Sequence, residues 1–140
     1  MIARRITHIA EIGLRVTNLD KMMEFYQKVL GFEVEITRPH HAFLKIAELG
    51  SELGEIGHAL ILGLFDREIQ LEVTSSTLDH LAFEVPSEFF EEERERFRSK
   101  GMIIRERSWP DTLDWKARSF FFYDPEGNVI EIIAANSSKK

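Results

Sequence analysis

Phe120-Phe121-Phe122-Tyr123-Asp124-Pro125-Glu126-Gly127-Asn128-Val129-Ile130-Glu131-Ile132-Ile133 reads as strand, turn, strand. Aromatic residues fill the first arm and β-branched residues the second, as strands favour. Pro125 sets φ for a turn, and Gly127-Asn128 tolerates positive φ. Glu131 stands inside Val-Ile-Glu-Ile-Ile. Alternation puts Val129, Glu131 and Ile133 on one face and Ile130 and Ile132 on the other. A carboxylate on an otherwise apolar face needs a cation, a metal or water at a strand end. The plain alternative is an edge residue turned to solvent.

Working outward, residues 6–16 read as a strand, with Ile12, Leu14 and Val16 on one face and Glu11, Gly13 and Arg15 on the other. Asn18 caps a helix running to about Leu30, whose Leu19, Met22, Met23, Tyr26, Val29 and Leu30 recur at helical spacing, and Gly31 ends it. Residues 32–37 and 41–47 read as strands, with Pro39 and His40-His41 as the turn between them. Residues 48–57 read as a loop, 58–65 as a buried strand, and 66–78 as a connector in which 68–73 could form a short extra strand. Then the pattern starts again: strand His80–Val85, Ser87 as cap of a helix over 88–100 with Phe90 and Phe97 inward, Gly101 as its stop, a strand from Met102, and the closing hairpin. The Glu and Arg side chains of 91–98 read as a solvated helix face.

The chain is therefore a repeat. Glu11 to Val16 overlays His80 to Val85 at an offset of 69, Gly31 overlays Gly101 at 70, and Phe43 overlays Phe120 at 77. Each half is strand, helix and three strands. This predicts an α+β fold: a single domain over 1–140, with a first βαβββ module at 6–65 and a second at 79–135, their sheets joined into a half-barrel with the helices outside. The inward polar residues would be Glu11, Arg15, His80, Glu84 and Glu131.

Composition narrows the function. The chain has 140 residues, 44% of them hydrophobic, enough for one compact domain with a core. Lys plus Arg is 18 against 24 for Asp plus Glu, a net charge of −6 that argues against nucleic acid as partner. With no cysteine, disulfides, thiolate nucleophiles and Cys-bound zinc are excluded. No stretch is long and apolar enough to span a membrane, and 1–6 lacks the hydrophobic region of a signal peptide, so a cytoplasmic protein is expected.

Four stretches then resemble a known family: Gly13-Leu14-Arg15-Val16-Thr17-Asn18-Leu19, Phe25-Tyr26-Gln27-Lys28-Val29-Leu30-Gly31-Phe32, Asp79-His80-Leu81-Ala82-Phe83, and Asp124-Pro125-Glu126-Gly127-Asn128-Val129-Ile130-Glu131. The sequence resembles the vicinal oxygen chelate superfamily of glyoxalases, bleomycin-resistance proteins and extradiol dioxygenases. In its metal-using members the first and last strands of each half supply ligands. The resemblance implies a divalent ion (Mn, Fe, Co, Ni or Zn) held by Glu11, His80 and Glu131, with Glu11 standing where the family usually has His. The fourth position falls on Leu62, which is no ligand; Glu72 and His58 are the substitutes. The implied chemistry is chelation of adjacent substrate oxygens and proton transfer, with Glu11 and Glu131 as catalytic carboxylates.

Each residue has a plainer reading. His80 and Glu131 could satisfy each other without metal, and Glu11 could pair with Arg15. His8 lies on the strand face opposite Glu11. Trp109 and Trp115 either cap the core or line a substrate cleft, and Arg118 either holds a substrate anion or forms a surface ion pair. Arg15, Trp109, Trp115 and Arg118 are the substrate-binding candidates. A ligand set of one His and two carboxylates differs from the two-His-one-carboxylate set of iron oxygenases, which favours an isomerase, epimerase or lyase on a small carbonyl compound. The alternative is a metal-free drug- or metabolite-binding protein of the bleomycin-resistance type. A homodimer is expected, as is common in small members of the superfamily.

Overall fold

The computed structural model describes residues 5, 9, 11–46, 60–66, 78–108 and 117–136. The chain divides into two compact units, Met1–Thr74 and Ser75–Lys140. His8, His58, Glu72, Trp109 and Trp115 lie outside the described residues.

The first unit runs β1 (Glu11–Arg15), α1 (Leu19–Lys28), β2 (Glu33–Arg38), β3 (His41–Lys45) and β4 (Ile61–Phe65). Its sheet has the order β1-β4-β3-β2, with β1 parallel to β4 and the other pairs antiparallel. Asn18 caps α1, its side chain accepting from the Lys21 N–H at 3.0 Å. Gly31 follows at φ 77°, a conformation that glycine alone adopts without strain. Alternation puts Ile12, Leu14, Ala42, Leu44, Leu62 and Leu64 on one sheet face. Four of these, Ala42, Leu44, Leu62 and Leu64, are fully buried, as are Met22 and Tyr26 of α1, and α1 packs on β3 and β4. Each large side chain so buried contributes about 1.5–3 kcal/mol.

The second unit repeats this order: β5 (Leu81–Glu84), α2 (Phe90–Ser99), β6 (Arg105–Ser108), β7 (Ala117–Tyr123) and β8 (Val129–Ala135). Its sheet is β5-β8-β7-β6, again with one parallel pair, β5 with β8. Phe97 of α2 lies on Phe122 and Phe120, with centroids 4.5 and 5.2 Å away, and Phe90 lies on Phe120 at 5.7 Å. The β7–β8 turn is organised by buried Asp124. Its Oδ1 accepts from the Glu126 and Asn128 N–H groups, each at 2.9 Å, and its Oδ2 accepts from Asn128 Nδ2 at 2.7 Å.

One local expectation is corrected. Ser87 does not cap α2. A 3-10 turn, Ser87–Phe89, precedes the helix, and Ser87 Oγ donates instead to the Ala135 carbonyl at 3.0 Å, tying the turn to β8. His41, read both as turn residue and as start of the 41–47 strand, is the first residue of β3.

Strand register corrects the repeat itself. Ala82 pairs with Glu131, and Gly13, its equivalent, pairs with Gly63. Phe121 pairs with Glu131, and Phe43 with Gly63. Gly63, not Leu62, is thus the first-unit counterpart of Glu131, and Phe43 matches Phe121, not Phe120. A slip of one residue moves every side chain to the other face. Leu62 faces α1, whereas Gly63 lies on the face with Glu11.

Candidate metal centre in the second unit

The face of the second sheet opposite α2 is set by register. Directly paired residues share a face, so Ala82, Glu131 and Phe121 lie side by side on three strands. His80 is two residues before Ala82 and belongs to the same face. Its Nε2 stands 3.3 Å from Glu131 Oε1. Glu131 is 3% exposed, and its Oε2 is buried with no hydrogen-bond partner. The His80 ring meets Phe121 edge-on, with centroids 5.9 Å apart. Ser119, also on this face, is buried with its Oγ unpartnered.

Asp79 orients the imidazole. Its Oδ2 is 2.6 Å from His80 Nδ1. An ionised carboxylate only accepts, so Nδ1 carries the proton. In the neutral ring, Nε2 then presents its lone pair toward Glu131 Oε1. Two lone pairs facing each other at that separation call for a cation between them, either a proton or a metal. The spacing of 3.3 Å exceeds the usual N–H···O range of about 2.7–3.2 Å. Two ligands at about 2.0–2.2 Å from one ion stand about 2.8–3.1 Å apart at octahedral angles and about 3.3–3.6 Å apart at tetrahedral ones. An orphaned, buried carboxylate oxygen beside an imidazole whose far nitrogen is held by a second carboxylate is a donor set that fits a divalent ion.

Among the described residues, neither unit gathers three or more His, Asp or Glu side chains around one point. His80 and Glu131 are brought together in the second unit. Glu11 belongs to the first, where it occupies the matching place by another route. A Cβ on Gly63 would stand 2.5 Å from Glu11 Oε1 and 2.7 Å from the Phe65 ring. The Glu11 carboxylate therefore lies over the position that, in the second unit, carries Glu131. Arg15 is on the same strand face as Glu11 and is paired with Phe65. His41 also belongs to this face, its ring 6.0 Å from Phe65; its place beside Pro39 and His40 had marked it as a turn residue.

Arg118 is placed elsewhere. It lies on the face that α2 covers, where Nη1 donates to Glu91 Oε1 at 2.9 Å and the guanidinium sits 4.7 Å over the Phe90 ring. The ion pair with Glu91 is present. On the Glu131 face the cations are Arg105 and Arg107, whose guanidiniums lie 5.9 and 5.7 Å from the Phe121 ring. Nothing in their exposed, polar strand Arg-Glu-Arg-Ser distinguished them in the sequence from surface residues.

The model of the Glyoxalase/Bleomycin resistance protein/Dioxygenase superfamily matches residues 5–132. The chain belongs to that superfamily. It is 27% identical over 137 residues to the fosfomycin resistance protein FosX of Listeria innocua, covering 96% of this chain and 95% of that protein. Among solved structures, FosX from Listeria monocytogenes complexed with Mn(II) and sulfate aligns at TM-score 0.67 and 25% identity, over 94% of this chain and 93% of that one. Lactoylglutathione lyase from Agrobacterium tumefaciens aligns at TM-score 0.70 and 22% identity, over 94% and 96%. The fold is thus the glyoxalase-like one, a βαβββ order in each unit. Among the described residues no helix is long and apolar enough to cross a membrane.

Proposed function

We propose that the chain is a divalent-metal-dependent enzyme of the isomerase, epimerase or lyase kind, acting on a small carbonyl compound. The observation that carries this reading is the buried Glu131, with one oxygen unpartnered and the other 3.3 Å from the nitrogen of an imidazole that Asp79 orients. Support comes from the relative complexed with Mn(II). His80 and Glu131 would hold the ion, and Glu11 is proposed as a further ligand or as the proton-transferring base.

When bound, the ion supplies Lewis-acid polarisation of the substrate oxygens. The chain's own residues do the rest. Asp79 keeps the His80 proton on Nδ1, so that Nε2 remains a ligand atom. Phe121 covers one side of the pair, edge-on to the imidazole. Glu11, with its carboxylate lodged over Gly63, takes a proton from a carbon next to the carbonyl and returns it. Arg15, Trp109 and Trp115 are proposed to contact substrate, and two copies of the chain are proposed to assemble as a homodimer.

Thermal unfolding of the metal-stripped protein with added Mn, Fe(II), Co, Ni or Zn tests this reading. At about 100 times the dissociation constant, a bound ion stabilises the native state by about 2.7 kcal/mol. A rise in Tm that vanishes in Glu131→Gln is expected. An equal rise in both proteins would overturn it.

A further inference from the structure

The other face of the second sheet holds a cavity of about 270 Å³ between α2 and the edge strand β6. It arises from how the helix is seated. Phe90 and Phe97 fix α2 on β7, and β6 is the last strand of the sheet beside it. Glu91 and Arg94 of α2, Glu106 of β6 and Arg118 of β7 line the gap, with the Phe90 ring beneath Arg118. Arg107 and Ser119 of the Glu131 face also line it, but Asp79, His80 and Glu131 do not, so the cavity is distinct from the metal centre.

Donors outnumber acceptors in the cavity. Each guanidinium carries five N–H groups. Arg94 uses Nη2 on Glu91 Oε2 at 2.8 Å and sets Nη1 3.5 Å from Glu106 Oε1. Arg118 uses Nη1 on Glu91 Oε1 at 2.9 Å and sets Nη2 3.4 Å from the Ser87 carbonyl. One carboxylate, Glu91, is thus shared by two cations at short distance, and the remaining contacts are long. Both Nε atoms are buried and have no partner. A buried N–H without an acceptor costs about 1–3 kcal/mol. Two such donors belong to neighbouring guanidiniums whose residues line one cavity.

We propose that this cavity binds a small oxyanion, a carboxylate or a phosphate. The planar guanidinium fork matches these groups. The oxyanion accepts from the guanidinium N–H groups of Arg94 and Arg118 and draws their Nε–H groups into the network. Glu106, half-exposed and 3.5 Å from Arg94, stands where the ligand competes and swings out to admit it. No step of the proposed metal chemistry uses these residues, so the two proposals fail or survive independently.

Arginine Nε–Hε NMR signals of the whole, isotope-labelled chain provide the test. The probes are inorganic phosphate and acetate, each compared with chloride at equal ionic strength. The Arg94 and Arg118 signals should move together and saturate, with a dissociation constant of about 1 mM or tighter for one probe or both. Arg118→Gln should weaken binding about tenfold, and Glu106→Gln should tighten it several-fold by removing the competing carboxylate. If Arg118→Gln fails to fold, Arg94→Gln carries the same expectation. Shifts that never saturate, that chloride reproduces, or that persist in the folded Arg variant would overturn the proposal.

Discussion

Replacing Gly63 with Ala puts one methyl group where the structure has no space for it. The added Cβ would stand 2.5 Å from Glu11 Oε1, 2.7 Å from Phe65 Cε2 and 3.1 Å from Phe65 Cζ. Ordinary contact begins near 3.4 Å, so both side chains must retreat by most of an ångström. Overpacking of this kind costs about 1–3 kcal/mol. Restricting the unfolded chain returns about 0.4–1 kcal/mol, because the glycine has no positive φ to lose. The net expectation is a destabilisation of about 1 kcal/mol. Glu11 is exposed and can swing aside, whereas the Phe65 ring is partly enclosed, so most of the energetic cost falls on Phe65 and most of the functional loss on Glu11. Urea unfolding of wild type, Gly63→Ala, Glu11→Ala and the double variant isolates the contact. Gly63→Ala should cost less in the Glu11→Ala background, by about 0.5–1 kcal/mol. Strict additivity, within about 0.3 kcal/mol, would refute the placement of Glu11 over Gly63.

Phe97→Ala removes the ring that joins α2 to Phe120 and Phe122 and should destabilise by about 3–5 kcal/mol in chemical denaturation; a loss under 1 kcal/mol would deny the helix this seat. Asp124→Ala leaves the Glu126 and Asn128 N–H groups without their acceptor and should cost about 2 kcal/mol, of which Asp124→Asn recovers part. Light scattering at high micromolar concentration should give twice the chain mass of 16.3 kDa; a monomer there would remove the proposed homodimer.

Much of the fold was legible because its signals are local. Asn18, Gly31, Gly101 and the Asp124–Asn128 turn each mark a boundary by backbone chemistry that operates wherever the residue sits. The pairing of His80 with Glu131 was legible because a carboxylate among β-branched residues has few tolerable surroundings. What escaped the sequence depends on register. Residues 119–122 are buried on both faces, so alternation gives no parity there. Phe120 was aligned where Phe121 belongs, and nothing marked Arg118 as facing the helix. Gly63 and Leu62 differ by one position in a strand buried on both sides, and only the pairing with Gly13 separates them. Asp79 stood within a matched motif without a role of its own. The hydrogen bond from its neighbour's Nδ1 appears only once the backbone before β5 is placed. Ser87 has the right chemistry for a cap, and the reach to Ala135, 48 residues on, overrides it.

The central claim is that His80 and Glu131 hold a divalent ion, and elemental analysis tests it most directly. The wild type and Glu131→Gln are purified after growth with Mn, Fe, Co, Ni and Zn in turn. The account predicts a stoichiometric metal in the wild type under at least one condition. It predicts none in Glu131→Gln, which keeps its fold and loses the buried charge. A wild type without stoichiometric metal under all five conditions would contradict it.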